Sequence, residues 1–263
     1  GDGTGIFARW TLICTSGATT ELVRAYQSAQ MLDVKQSVAS PIFVRSAIAV
    51  HVLAAALLSM MYYILKTYMA PDKPLVAWKT FALHPLMMTT AFGFFGPLAA
   101  VSWRVYGDYL GISKPRVRII HFCLVSAAAI IGTAGVVDMW LVHEAGADAQ
   151  RVKGWAVHFQ STHSWIGILA LLLFLYQWLG GLVLFYNPFV PQIQQAQSKG
   201  THAVQGALAL YATMITIITG ILSLAGRGDN HATKDVLYKV ASVVAILLPA
   251  AITLLYASPR PQL

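Results

Sequence analysis

Apolar residues along this chain fall into six long runs with short polar breaks between them, at about 43–69, 80–106, 116–142, 160–186, 201–226 and 234–257. Each run supplies the roughly 20 mostly apolar residues that a helix needs to cross about 30 Å of hydrocarbon. The breaks are too short to hold a soluble domain of any size. The pattern therefore predicts an all-α, polytopic membrane helical bundle of six transmembrane helices over 43–257. An N-terminal extramembrane segment, 1–42, precedes it and a C-terminal tail, 258–263, follows it. Prolines stand where such helices should break: Pro71 and Pro74 in the first connection, Pro188 and Pro191 in the fourth, Pro259 and Pro261 in the tail. Pro85 falls in the first turn of the second span, where a missing backbone donor costs least.

Composition agrees with lipid as the solvent. Only 11% of the 263 residues are charged, against about 25% in a soluble domain. The formal charge of +8 does not imply a nucleic-acid partner, because the basic residues sit at span ends, where anionic headgroups are the simpler partner. Spans alternate in direction, which defines side A (the N-terminus) and side B. Side A holds 10 of the 18 Lys and Arg, among them Lys114, Arg116 and Arg118 in one short loop. The bias is in the positive-inside direction, so side A is expected to be cytoplasmic, or its equivalent in an organelle. An integral, multi-pass protein of an endomembrane or the plasma membrane is expected first, of an organelle inner membrane second. Residues 1–40 contain no apolar core of a secretory signal. Cys14 and Cys123 are expected to be free thiols, and two cysteines exclude four-cysteine iron–sulfur sites.

Histidine carries the chemistry. Of eight histidines, four stand at span starts: His84 in the second, His121 in the third, His163 in the fourth and His202 in the fifth. Alternation places His84 and His163 at one depth near side B, and His121 and His202 at one depth near side A. Two imidazoles on facing helices supply both axial nitrogens of a haem iron, and no other ligand type is called for. Ionisable groups inside a span are costly and mark function by default. Gly167 and Gly206 follow His163 and His202 by four residues, on the same helix face, and leave room for a flat macrocycle. Small residues also serve helix packing, which is the competing reading for these and for Gly93, Gly96, Gly132, Gly135, Gly180 and Gly181. His51 is expected to be structural and His231 to be solvated. His143 and His158, in the third connection with Arg151 and Lys153, are candidates for a substrate entrance on side B.

Leu83-His84-Pro85-Leu86-Met87-Met88, Arg118-Ile-Ile-His121, Ser161-Thr162-His163-Ser164-Trp165-Ile-Gly167, Gln177-Trp178-Leu-Gly180-Gly181 and His202-Ala-Val-Gln-Gly206 resemble the cytochrome b561 family in order and spacing, over about 43–257. The resemblance implies six helices whose middle four hold two haem b, one between His84 and His163 on the non-cytoplasmic side and one between His121 and His202 on the cytoplasmic side. It also implies ascorbate as the donor, monodehydroascorbate or a ferric chelate as the acceptor, and in many members a homodimer. This chain departs from the family pattern in a longer connection before His163, in Thr162 for a leucine, and in Arg116 and Arg118 where lysines are usual. Residues 1–42 have no counterpart there.

The expected function is transmembrane electron transfer through two bis-histidine haem b centres. An anionic donor would dock at Lys114, Arg116, Arg118 and Lys199, and an acceptor beside His143 and His158. The alternatives are an accessory subunit of a larger membrane complex and a quinol-linked dihaem cytochrome.

Overall fold

The computed structural model describes residues 20, 21, 24, 39–72, 74–147, 157–225 and 232–261. Cys14, Arg9, Lys35, Arg151, Lys153 and His231 lie outside the described residues. Six helices among those described are long and apolar enough to cross a membrane: α1 Pro41–Met69, α2 Leu83–Tyr109, α3 Lys114–Ala145, α4 Thr162–Phe185, α5 Gln192–Ala225 and α6 Ala232–Ala257. No strand occurs among the described residues.

Local chemistry sets the helix starts. Ser40 Oγ accepts from the Phe43 N–H at 3.1 Å, with Pro41 opening α1. Ser161 Oγ accepts from the Ser164 N–H at 3.2 Å and opens α4 two residues before His163. These are N-caps that satisfy otherwise orphaned donors. The fifth helix starts nine residues earlier than the apolar pattern indicates. Pro191 ends the connection, its carbonyl accepts from Gln194 and Gln195 at 3.0 and 3.1 Å, and the polar run that follows prolongs α5 as helix outside the apolar stretch. His202 therefore sits well inside α5 and not at its start. His143 likewise belongs to the last turn of α3, not to a loop, because helical hydrogen bonding continues past the last strongly apolar residues.

The second span is not a uniform α-helix. It widens into π-helical turns over Thr89–Phe95 and Trp103–Tyr109, with Gly96 N–H bonding to Ala91 O and Leu110 N–H to Val105 O. Pro97 lacks the N–H that Gly93 O would otherwise accept, and the wider turn before it absorbs the mismatch. Wide turns of this kind often accompany functional sites.

α2 is the most enclosed span and α4 the least. α1 runs along α6, α5 along α4 and α6, and α3 along α2. The buried seam includes Leu57, Met61, Val101, Met214, Tyr238 and Leu248. The outward face of α4 carries Leu169, Leu172, Tyr176, Leu179 and Val183, all more than half exposed. A stripe of that composition along the full helix is solvated by lipid.

Candidate haem sites at the two ends of the bundle

The helix directions bring the four span histidines into two pairs. The His84 and His163 rings have centres 6.3 Å apart, and those of His121 and His202 6.5 Å apart. A ring nitrogen binds a transition metal at about 2 Å, so rings on opposite sides of one ion have centres about 6 Å apart. The depth between the pairs follows from the helices. His84 is hydrogen-bonded to Gly135, and His121 stands 14 residues before Gly135 on α3, a rise of roughly 21 Å at 1.5 Å per residue.

Each ring is oriented through Nδ1. His84 Nδ1–H donates to Gly135 O at 2.9 Å and His121 Nδ1–H to Ala99 O at 2.9 Å. Thr219 gives its hydroxyl proton to Thr216 O at 3.0 Å, so its oxygen accepts from His163 Nδ1–H at 3.2 Å. His202 Nδ1 lies 2.8 Å from the Gln177 side-chain amide. A hydrogen-bond partner at Nδ1 orients the ring, as the surroundings of metal-bound histidines do. Among the described residues no group of three or more His, Cys, Asp or Glu could hold a metal ion. Each pair therefore offers two donors and no more, which fits a macrocycle that brings its own in-plane nitrogens. His51 is different: its Nδ1–H donates to Ala47 O at 2.7 Å and its Nε2 accepts from Tyr106 at 3.0 Å, so both nitrogens are engaged.

Space accompanies the side-B pair. A cavity of about 630 Å³ is lined by His84, His163, Gly167, Met88, Phe92 and Gly220, within the roughly 300–1,000 Å³ usual for ligand and cofactor sites. Gly167 borders this cavity, and a Cβ on it would meet Thr216 at 3.3 Å. Gly206 faces Gln177 at 3.0 Å. The glycines beneath the histidine rings are on the opposite helices: Gly220 under His163, at 2.9 Å, and Gly181 under His202, at 3.1 Å.

At the side-B mouth His158 stacks on Trp140, ring centres 3.6 Å apart, and its Nε2 lies 2.7 Å from Glu144 Oε1. His143 is 5.6 Å from His158, and both border the cavity. At the other end Lys114, Arg116, Arg118 and Lys199 are all exposed. Arg118 O accepts from Tyr186 OH at 2.9 Å. Burial raises the Tyr186 hydroxyl above the ordinary tyrosine range, with the nearby Arg118 charge opposing the rise. Arg104 is not part of an exposed cluster. It is buried, donating to Leu255 O at 2.6 Å and Ser258 O at 3.0 Å at the end of α6.

Sequence reasoning missed Thr219, Gly220, Trp140, Glu144 and Asp138. Asp138, an acidic residue inside an apolar run, carried a readable signal; a threonine and a glycine in a membrane helix carry none.

Six membrane-crossing helices with paired imidazoles at both ends of the central four define a class: multi-pass membrane proteins with histidine pairs near both ends of the bundle. Residues 83–225, more than half of the chain, match the family described as eukaryotic cytochrome b561, and the chain belongs to that family, whose members bind haem b. It is 28% identical over 183 residues to the transmembrane ascorbate-dependent reductase CYB561 of Ovis aries, covering 68% of each chain. It is 29% identical over 141 residues to the plasma membrane ascorbate-dependent reductase CYBRD1 of Mus musculus, 54% of this chain and 46% of that one. It is also 29% identical over 143 residues to the lysosomal membrane ascorbate-dependent ferrireductase CYB561A3 of Danio rerio, 54% of each. The match thus spans about half the length of the last two and about two thirds of the first.

Proposed function

We propose that this chain transfers single electrons across the bilayer through two haem b, one held by His84 and His163, the other by His121 and His202. The observation that carries the proposal is the spacing of the rings, 6.3 and 6.5 Å between centres, with Nδ1 hydrogen-bonded in all four. Bound there, haem b supplies reversible one-electron iron chemistry. The protein would supply position and the imidazole nitrogens of His84, His163, His121 and His202 that hold it.

The proposed donor is ascorbate on side A. Its monoanion is drawn to Lys114, Arg116, Arg118 and Lys199, a basic rim that concentrates anions. It gives up one electron and a proton and leaves as monodehydroascorbate. The proposed acceptor on side B is monodehydroascorbate or a ferric chelate. His158, braced by Glu144 and Trp140, and His143 offer it hydrogen bonds, and one electron and one proton return monodehydroascorbate to ascorbate. The ascorbate-dependent reductases and ferrireductase among the relatives support this donor and a ferric acceptor. A homodimer, or membership of a larger membrane complex, is compatible with the exposed apolar faces.

One observation favours a quinol as a second donor class. An apolar groove of about 440 Å³ between α3 and α4, lined by Trp78, Ile130, Thr133, Val137, Leu175 and Trp178, opens to lipid. A water-insoluble quinol that reduces the purified protein faster than ascorbate does would favour that reading.

The test is a pyridine haemochrome assay with spectra of single variants. The expected result is two haem b per chain. His84→Ala and His163→Ala should remove one spectral component, His121→Ala and His202→Ala the other. A haem-free protein, or loss of the same component in His84→Ala and His121→Ala, overturns the proposal.

A further inference from the structure

Spans four and five face each other in an antiparallel register that places His163 against Gly220, Gly167 against Thr216, Gln177 against Gly206 and Gly181 against His202. The two ends of this interface follow one plan. A histidine with a glycine four residues on, in one helix, meets a polar residue with a glycine four residues on, in the other. At side B the histidine is on α4 and the polar residue, Thr216, on α5. At side A the histidine is on α5 and the polar residue, Gln177, on α4. The two ends differ in what meets Nδ1. At side B it is the hydroxyl oxygen of Thr219. At side A it is the amide of Gln177, which lies 2.8 Å from His202 Nδ1 and 2.6 Å from His202 O. Gly206 leaves room for that amide: a Cβ there would stand 3.0 Å from Gln177 Nε2.

We propose that Gln177 is the positioning residue of the His121/His202 centre, fixing the plane of the His202 ring and the electron density on it through Nδ1; this rests on the haem reading above. An amide is unlike the acceptors at the other three rings. A carbonyl or a hydroxyl whose proton is already given away can only accept from Nδ1–H. An amide presents either end by a half-turn, and which end faces a histidine is assigned from its partners. The end now toward Nδ1 is nitrogen, which also donates to His202 O. A histidine that gives Nε2 to iron keeps its proton on Nδ1, so the oxygen of Gln177 must turn toward it, at the cost of the bond to His202 O. Ligation at His202 is thereby tied to the amide. A partner that accepts from Nδ1–H makes the imidazole more electron-rich, and so stabilises the ferric form.

The experiment compares Gln177→Leu, Gln177→Glu and Gly206→Ala with the wild type by haem content, low-spin electron paramagnetic resonance and potentiometric titration. Leucine removes the acceptor and should shift upward the midpoint of the component that His202→Ala removes. Glutamate supplies a stronger acceptor and should shift the same midpoint downward. Gly206→Ala crowds the amide and should move the resonance of that component alone. Thr219→Val should instead alter the component lost in His163→Ala. Shifts of the same sign in the leucine and glutamate variants, equal shifts of both components, or no shift at all would show that Gln177 only fills space. If leucine releases haem, the glutamate and Gly206→Ala results decide on the same criteria. A wild type without two haems refutes the dihaem reading itself, whereas two haems with unmoved variants refute only the role of Gln177.

Discussion

A histidine at the edge of an apolar run is legible because nothing else of its polarity surrounds it. His84, His121, His163 and His202 were therefore readable, and helix alternation alone sorted them into the pairs the structure brings together. The glycines were legible as small residues but not as seats. A helical side chain leans toward the N-terminus of its own helix, so His163 does not cover Gly167, four residues on. It reaches across to Gly220, and only the register of two helices shows that. The same holds for Thr219, which orients His163 from the neighbouring span. The rim cations were legible as charges. Arg118 is exposed, with its carbonyl held by Tyr186. A charge-assisted hydrogen bond is worth about 1.5–3 kcal/mol, and solvent at the rim keeps the gain near the lower end. Arg118→Ala should slow reduction by ascorbate about tenfold, at 1.4 kcal/mol per decade, and leave reduction by a small neutral donor unchanged. Stopped-flow traces with both donors at several salt concentrations decide it. Equal slowing with both, or no salt dependence with ascorbate, would make Arg118 a topology signal only.

At the scale of elements, the spans were readable to within a few residues except where polar sequence stays helical. α5 runs on into Gln-rich sequence beyond the bilayer, and α3 carries His143 on its last turn. Hydropathy reports where lipid ends, not where helical hydrogen bonding ends. The π-helical turns of α2 were illegible for a related reason: Pro97 announces a missing bond but not how the helix absorbs it. Two buried polar side chains tie elements together. Arg104 holds the last carbonyls of α6 to α2, where a cation also complements the helix dipole. Asp138, fully buried on α3, accepts from the Lys79 N–H at 2.6 Å. Lys79 has φ 62°, a left-handed conformation that costs a residue with a side chain roughly 1–2 kcal/mol. The Asp138 bond therefore fixes the chain reversal five residues before His84. Asp138→Leu should destabilise the protein by about 1–3 kcal/mol, the cost of leaving a buried donor unsatisfied, and broaden the resonance of the His84/His163 centre. Asp138→Asn, which keeps an acceptor oxygen, should do less on both counts. Thermal unfolding in detergent with resonance spectra of both variants tests this. Identical behaviour of the two variants would show that the bond to Lys79 does not matter.

The whole molecule places its two histidine pairs roughly 21 Å apart in depth, at 1.5 Å rise per residue, within a hydrocarbon core of about 30 Å. Aromatic rings pack part of the gap, below the side-B cavity. Phe92 meets Phe174 edge to face, ring centres 5.0 Å apart, and is pressed against Gly132, where an added Cβ would stand 2.5 Å from its ring. On the proposed reading, reducing equivalents should cross the membrane only when both pairs are intact. The measurement uses sealed vesicles loaded with ascorbate and a membrane-impermeant ferric chelate outside, with orientation set by protease access. Wild-type protein with side A inward should reduce the external chelate. His84→Ala should abolish that reduction, while internal ascorbate still reduces the component held by His121 and His202. His202→Ala should abolish both, because entry itself is lost. The asymmetry follows from the proposed direction of transfer: a break near the exit leaves the entry centre filled, and a break at the entry leaves nothing to pass on. External reduction that persists at the wild-type rate in His84→Ala would mean that electrons leave by another route, and the two pairs would then not act in series.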